Sequence, residues 1–352
     1  MPVAEPVVVI GVGARTPVGF TAAGSAAAVR AGISVIEEHP YMIDRFGEPM
    51  KVTRDFGVDV CLRGPARLVE IGLDAAREAL AVLGGREVPA VSVLLATGED
   101  RPGQPPGHAA AVYAGLTERL AGPVRIGRGD YLASGHAGGL LAMLQARDAL
   151  RAGQAQLCLV GGVDSYLDPE TLEWLDDNDT LHSEGNIYGF CPGEGAGFCL
   201  LSTLATARTL GCRPLVELAS IAAAYEENRI RTQTVCLGIG LGTSFRLAFE
   251  EAYPELGPVD RILCDMNGER YRANEYGFAV LRNRAHFRDA ADFETPADCW
   301  GDLGAASGPL FVALVTEADA RSYAKGPISL IWASSNNGSR AAAMLRGYGR
   351  VG

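Results

Sequence analysis

The chain has 352 residues, of which 48% are hydrophobic and 21% charged, and its formal net charge is −11. This composition is typical of a globular protein of one large or two ordinary domains, and it excludes a disordered or collagen-like chain even though 44 residues are Gly. The acidic balance, without any run of basic residues, argues against a broad surface for nucleic acids or anionic membranes. We therefore expect neither a nucleic acid nor a membrane as partner.

The first part of the chain alternates predicted strands and helices. Val7 to Ile10 is a β-branched run that predicts a buried strand, and Gly11-Val12-Gly13 predicts a turn after it. The elements that follow, in chain order, are a helix at 22–31, a helix at 66–83 that ends at Gly84-Gly85, a strand at 91–96 and a loop at 102–107.

The segment after Asp130 carries the clearest pattern. Residues 137–151 are small and aliphatic and predict a helix buried on most sides, followed by a strand at 157–160 and a turn at Gly161-Gly162. This helix opens at Ser134-Gly135-His136, where unpaired backbone N–H groups and the helix dipole favour negative charge. Its buried start makes it a candidate wall of a functional site.

The second part of the chain repeats the alternation. A glycine-rich turn at 189–197 leads into a strand at 198–202, and the later elements are a strand at 214–219, a helix at 242–252, a strand at 260–264, a helix after the loop 301–308 and a strand at 328–332. Repeated alternation without a low-complexity linker predicts two similar α/β halves packed as one body. We place their boundary after residue 205, giving halves at 1–205 and 206–352.

The cysteines indicate the compartment. None of the eight stands in a CxxC motif or at metal-ligand spacing, and several lie in apolar runs, as Cys158 and Cys199 do. Buried free thiols of this kind are typical of a reducing compartment. The N-terminal residues lack a basic region and an apolar run of membrane-spanning length. We predict a cytoplasmic protein without a metal site.

The glycine-rich segments occur in an order that resembles the β-ketoacyl-acyl-carrier-protein synthases of the thiolase superfamily. VVVIGVGARTPVG is similar to that family's first strand and turn, GFCPGEGAG to its GFxxGEGAG signature, GDLGAASG to its GHxxGAAG turn and SSNNGS to its final GGTNG segment. The resemblance implies an α/β thiolase-like fold, in which two similar βαβαβ halves form a five-layer αβαβα arrangement. It also implies a dimer.

The resemblance places other residue types where the family has its Cys-His-His catalytic set. The position of the nucleophilic cysteine falls on His136, and the two histidine positions fall on Asn267 and Asp302. Ordinary condensation needs a thiolate to hold the acyl chain and imidazoles to support decarboxylation. We therefore expect the chain to lack ordinary condensing activity.

The three replacements are themselves candidate catalytic residues. His136 and Asp302 form a possible base–orienter pair, in which the carboxylate fixes the imidazole tautomer, and Asn267 could donate to a carbonyl group. The simpler alternative is that His136 only fills the space of the lost cysteine. Candidate substrate-binding residues lie in the same segments: Ser134, Glu269, Arg270 and Asn337.

Further residues in or near these segments each have two interpretations. Cys191 and Cys264 are possible relocated nucleophiles, against the simpler interpretation that both are buried packing thiols. Ser134 is either a hydroxyl nucleophile or the N-cap of the helix. Arg270 or Arg272 could contact a phosphate or carboxylate, or belong to a solvated loop.

Three functions remain open at this stage. The first is a ketosynthase-like, non-condensing partner subunit or acyl-thioester-binding protein in fatty-acid, polyketide or secondary metabolism. The second is an acyltransferase or thioesterase-like enzyme that acts through His136 and Asp302 on acyl-CoA or acyl carrier protein. The third is a ligand-binding scaffold. The predicted partners are a second copy or an active ketosynthase, with acyl carrier protein as a further candidate; no cofactor is expected apart from the phosphopantetheine of such a substrate.

Overall fold

The computed structural model describes residues 5–122, 124–230, 232–252 and 256–348. The strands are β1 (Val7–Arg15), β2 (Glu37–Ile43), β3 (Pro49–Val52), β4 (Val91–Thr97), β5 (Asp130–Ala133), β6 (Leu157–Ser165), β7 (Glu194–Thr203), β8 (Val216–Tyr225), β9 (Arg261–Cys264), β10 (Phe293–Glu294), β11 (Ile328–Ser334) and β12 (Ser339–Gly347). The helices are α1 (Ala22–Arg30), α2 (Gly64–Leu80), α3 (His108–Leu120), α4 (Gly138–Arg151), α5 (Pro169–Asp177), α6 (Leu204–Thr209), α7 (Ile239–Ala252), α8 (Arg270–Asn283), α9 (Ala297–Trp300) and α10 (Ser307–Ala320).

The large sheet consists of two halves with the same strand order. Within the described residues its order is β10-β9-β11-β12-β8-β1-β7-β6-β4-β5. From the centre outward, β1-β7-β6-β4-β5 and β8-β12-β11-β9-β10 each begin with two antiparallel pairings and end with two parallel ones. A short pairing of β1 with β8 joins them. The chain is therefore an internal repeat of one α/β unit.

Three large hydrophobic cores of the described residues lie between the layers of sheet and helix. The central core holds Leu140 and Met143 of α4 and Phe311 of α10, and these two helices contact strands of both halves. A second core packs α2 and α3 against the outer face of the first half, and a third packs α7 and α8 against the second. The predicted five-layer αβαβα thiolase-like fold is confirmed.

Several glycines predicted as turns lie inside strands instead. Gly11 and Gly13 belong to β1, Gly161-Gly162 to β6, and the last four residues of GFCPGEGAG to β7. The physical reason is a close helix–strand contact: a Cβ atom on Gly13 would lie 1.9 Å from the backbone oxygen of Ala75 in α2. Glycine here allows layers to approach closely, and the predicted turns at these positions are wrong.

The other predicted elements appear with shifted ends. The helix predicted at 66–83 is α2 with a 3-10 turn after it, and Gly84 ends it in the left-handed region at φ 57°. The boundary predicted after residue 205 falls within α6, between the two sets of strands, and stays a prediction. No helix among the described residues has the length and hydropathy needed to cross a membrane.

Candidate active site

The two central helices bring the candidate residues together. His136 lies in a 3-10 turn (Gly135–Ala137) that leads directly into α4, and Asp302 lies just before the corresponding 3-10 turn (Gly304–Ala306) that leads into α10. Asn267 follows β9 at the same end of the sheet. Because α4 and α10 pack side by side in the central layer, their first turns meet.

Asp302 is the centre of the cluster. Its two carboxylate oxygens lie 2.8 and 2.9 Å from Nε2 of His136. Asn267 donates from Nδ2 to Oδ2 at 2.6 Å, and the backbone N–H of Gly304 donates to Oδ1 at 2.8 Å. His136 is 3% exposed and Asp302 4% exposed. The three residues predicted to be catalytic thus form one buried hydrogen-bonded set.

The electrostatics of the pair favour charge separation. Burial disfavours the imidazolium, but the Asp302 carboxylate outweighs that cost and the pKa of His136 lies above its ordinary value of 6.5. Burial also disfavours the carboxylate, yet His136, Arg272 and the Asn267 amide hold the pKa of Asp302 well below its ordinary range. The pair is therefore shifted toward an imidazolium beside a carboxylate. An imidazolium donates a proton and cannot accept one.

A second buried ion pair lies directly behind the first. Arg272 is 1% exposed; its Nε donates to Glu269 Oε2 at 2.9 Å, and its Nη1 donates to Asp265 Oδ2 and to the Ser334 backbone oxygen, both at 2.8 Å. Arg272 is therefore held by protein partners, which corrects the alternative of a solvated loop. Asp265 could not be identified from the sequence, because nothing in its local pattern distinguishes it from any residue after a strand.

The cluster forms part of the wall of a cavity of about 340 Å³. His136, Asp302, Glu269 and Arg272 line one part of it, and aromatic side chains such as Tyr166 line another. The hydrogen bonds of the His136 ring within the described chain are made by Nε2. Nδ1 is therefore the ring atom left to donate to a ligand.

The predicted substrate-binding residues divide into two groups. Glu269 lines the cavity, whereas Ser134, Arg270 and Asn337 are not among its lining residues. The exposed guanidinium of Arg270 lies over the ring of Tyr188, and Asn337 closes the turn between β11 and β12 by accepting the Ser339 N–H. The prediction that these three contact substrate receives no support from this cavity.

The two candidate thiols fit the simpler interpretation of buried packing thiols, and Ser134 fits the N-cap interpretation only in its position. Ser134 occupies the N-cap position of the 3-10 turn, but its side chain makes no capping hydrogen bond; its backbone oxygen accepts from Ser335 Oγ at 2.5 Å. Burial raises the pKa of the Cys191 thiol to about 12 and that of Cys264 still further. Cys264 Sγ lies 3.5 Å from the backbone oxygen of Glu294. Both thiols are protonated and buried at neutral pH.

Arg101 is a further cavity residue that the sequence argument missed. Its guanidinium pairs with Asp164, donates to the Ser165 backbone oxygen at 2.8 Å and lies 4.0 Å from the ring centroid of Tyr166. The carboxylate of Asp164 also accepts the Ala305 backbone N–H, so it connects β6 to the turn before α10. No spacing motif could reveal a pair whose members stand 63 residues apart.

Two repeated α/β halves, with central helices that open into one polar cluster, define a thiolase-like fold. Residues 131–207 match the family model of the beta-ketoacyl synthase, N-terminal domain. This segment contains His136, α4 and the GEGAG strand. The resemblance to the β-ketoacyl synthases of the thiolase superfamily is confirmed.

Curated relatives match part of the chain. The 6-methylsalicylic acid synthase of Penicillium terrestre is 34% identical over 97 residues, which cover 26% of this chain and 5% of that protein. The enzyme of the same name from Aspergillus niger is 31% identical over 122 residues, covering 32% and 7%. The matched region is thus a small part of much longer proteins.

Solved structures match nearly the whole chain. A type II PKS acyl-carrier protein in complex with its ketosynthase bound to the hexaketide gives a TM-score of 0.79 at 16% identity, covering 98% of this chain and all of that one. The ishigamide ketosynthase/chain length factor gives 0.69 at 22% identity, with 98% and 100% covered. The ketosynthase from module 6 of the bacillaene synthase of Bacillus subtilis 168 gives 0.79 at 15% identity, with 98% and 72% covered. At these identities the matches establish the fold.

Proposed function

We propose that this chain is a non-condensing, ketosynthase-like subunit of polyketide-type or fatty-acid-type biosynthesis that works beside an active ketosynthase. The observation that carries the proposal is the buried pair of His136 and Asp302, braced by Asn267, at the place where the resemblance puts the catalytic set. A pair of this kind is chemically different from a thiolate beside two imidazoles.

The thiols of the chain lie outside the described lining of the cavity, which supports the proposal. Condensation in the family needs a thiolate that carries the acyl chain. Among the described residues that line the cavity there is no cysteine. Cys191 and Cys264, the candidates nearest in the sequence motifs, have raised pKa values because they are buried. A protonated thiol outside the cavity is a poor acyl acceptor.

The charge of Asp302 is the second support. Decarboxylation of an extender unit builds negative charge on an enolate oxygen, which family members stabilise with imidazole donors. The depressed pKa of Asp302 keeps a carboxylate in this wall at neutral pH, and a fixed negative charge opposes an enolate. His136 compensates that charge instead of serving a substrate.

Partners are proposed from the structures this fold resembles. One is described as a ketosynthase/chain length factor, and another as an acyl-carrier protein in complex with its ketosynthase. We propose an active ketosynthase as the partner subunit and acyl carrier protein as the protein that delivers substrate to the pair. A homodimer of this chain remains the alternative assembly.

The acyltransferase or thioesterase alternative is supported by one observation. His136 lines a cavity large enough for a substrate and has Nδ1 free to donate to a thioester carbonyl. The raised pKa of His136, however, favours the protonated imidazole, which disfavours the role of base that this chemistry requires. A scaffold that binds ligand without reaction is the third function, and it shares the cavity with the other two.

Mass spectrometry of the intact chain tests the proposal. The purified chain is incubated with acetyl-, malonyl- and long-chain acyl-CoA and with malonyl-loaded acyl carrier protein, and covalent adducts, released CoA and CO₂ are measured together. We expect no adduct and no release above the rate without protein. CoA release that is lost in His136→Ala would support the acyltransferase alternative and contradict the non-condensing subunit.

Reconstitution tests the partner. The chain is co-expressed in turn with each ketosynthase of the same organism that retains the cysteine and both histidines, and the complexes are examined by native mass spectrometry. We expect a one-to-one heterodimer that condenses, whereas the chain alone does not. A homodimer that takes up no ketosynthase would contradict the partner role.

A further inference from the structure

A group of metal-binding side chains lies away from the polar cluster, on the outer side of the second half. Glu226 follows β8, Cys236 lies in the segment before α7, and Glu275 projects from α8. One donor atom from each of the three lies within 4.8 Å of the other two. We propose that Glu226, Cys236 and Glu275 bind one zinc ion.

The buried carboxylate of Glu275 needs a partner that the described protein atoms do not supply. Glu275 is 0% exposed; its Oε1 accepts from Arg340 Nε at 2.6 Å, and its Oε2 has no hydrogen-bond partner in the described part of the chain. Leaving a buried charged oxygen without a partner is costly. A metal ion bound at Oε2 supplies that partner while Oε1 keeps its bond to Arg340.

The charge of these side chains also favours a bound cation. Glu226 and Arg340 are each 1% exposed, and Arg340 pairs with Glu275, so Glu226 adds a second buried carboxylate to the group. Within the described part of the chain, Glu226 accepts the backbone N–H groups of Asn228 at 3.2 Å and Gly240 at 2.8 Å, which leaves lone pairs on both oxygens. The excess negative charge is stable in a buried place when a cation binds to it.

The donor types and one distance favour zinc over magnesium or calcium. Mg²⁺ and Ca²⁺ take oxygen ligands, whereas Zn²⁺ binds thiolate and carboxylate together. Cys236 Sγ lies 3.7 Å from Oε1 of Glu275, so the thiol stands beside the carboxylate whose other oxygen, Oε2, has no partner among the described residues. Two ligands of one tetrahedral zinc, at about 2.3 Å for sulfur and about 2.0 Å for oxygen, stand roughly 3.5 Å apart, so the thiol and this carboxylate are close enough to bind one ion. A water molecule completes the four ligands.

The proposed zinc site would fix one wall of the cavity that His136 and Asp302 line. Arg229, Ile230 and Thr232 line that cavity and belong to the segment between Glu226 and Cys236. Zinc bound at both ends of this segment and at α8 holds the wall in place. Cys236 lies 10 residues after Glu226 and 39 residues before Glu275, so the three ligands do not form a recognisable spacing motif in the sequence.

Metal titration of the full chain tests the site. Chelator-treated protein is titrated with Zn²⁺ against a chromophoric chelator, and with Co²⁺ to record the thiolate-to-cobalt charge-transfer absorption. Cys236→Ser is the test variant, because it keeps the side-chain volume, and Cys61→Ser is the matched control, because Cys61 is an exposed thiol. Glu275→Gln is avoided, because it would leave Arg340 buried beside a neutral partner.

We expect one zinc per wild-type chain, the same in Cys61→Ser, and binding weaker by more than about tenfold in Cys236→Ser, without the charge-transfer absorption. Zinc should also raise the melting temperature of the wild type and of Cys61→Ser but not of Cys236→Ser, because a ligand bound only to the folded state stabilises it. Equal binding by wild type and Cys236→Ser, or no binding in competition with the chelator, would overturn the assignment.

Discussion

Replacing Asp302 by Asn tests the electrostatics of the polar cluster. The carboxylate accepts from three donors: His136 Nε2, Asn267 Nδ2 and the Gly304 N–H. An amide offers one oxygen and turns an NH₂ group toward at least one of these donors. Breaking a buried ion pair by removing one partner costs about 3–5 kcal/mol. We expect the free energy of unfolding of D302N to fall by about that amount near pH 6.

The pH dependence gives the variant a second signature. Because the pKa of His136 is raised above 6.5 in the folded chain, its contribution to stability is fully present below pH 6.5 and is lost as the pH rises through the raised value. The depressed pKa of Asp302 gives a contribution that is present above 3.8 and is lost only as the pH falls through the folded value. Wild-type stability should therefore decrease as the pH rises above 6.5.

In D302N the attraction to Asp302 is gone, and burial and the nearby Arg272 outweigh the smaller effect of Asp265 on His136. The pKa of His136 therefore falls below 6.5, and the corresponding loss of stability occurs as the pH decreases. The difference in unfolding free energy between wild type and variant should thus shrink as the pH rises. Denaturant titrations at several pH values measure it, and Glu250→Gln is the control, since its pair with Arg246 is exposed and worth less than about 1 kcal/mol. A difference that does not change with pH would refute the ion pair.

Further predictions concern glycine packing and thiol reactivity. Gly13→Ala should destabilise the fold by about 1–3 kcal/mol in denaturant titrations, because its Cβ would meet the Ala75 backbone oxygen. Gly277→Ala should stabilise it by up to about 1 kcal/mol, because this exposed helical position has open space around it; equal effects at the two sites would contradict the packing argument. A thiol reagent at neutral pH should modify the exposed Cys61 and spare the buried Cys191 until the chain is unfolded, and peptide mapping that finds Cys191 labelled in the native chain would contradict its burial.

The fold was predictable because its glycines are fixed by contacts between layers. Gly13 must be small for α2 to cross β1, and the order of such segments along the chain carried the resemblance. The exact strand limits were not predictable, because a glycine that permits close packing inside a strand has the same local signature as one that permits a turn. Only the neighbouring layer distinguishes the two.

The central pair of the candidate site was predictable from the sequence, but the residues around it were not. His136 and Asp302 stand 166 residues apart, and their convergence was implied by the resemblance rather than by spacing. Ser134, Arg270 and Asn337 were proposed because they adjoin motif residues, but neighbouring side chains point in different directions. Arg270 is exposed although Glu269, beside it in sequence, lines the cavity.

The pair itself shows why the prediction of a base and its orienting carboxylate was incomplete. Asp302 alone in this buried place would be an uncompensated charge and would take up a proton, and His136 alone would lose its proton. Together each holds the other ionised, since the carboxylate raises the pKa of the imidazole and the imidazole lowers that of the carboxylate. The sequence shows one residue that is usually a base and another that usually orients it. The geometry couples them into one pair in which the imidazole is shifted toward its protonated form, and this disfavours a free base and supports the proposal of a supporting subunit.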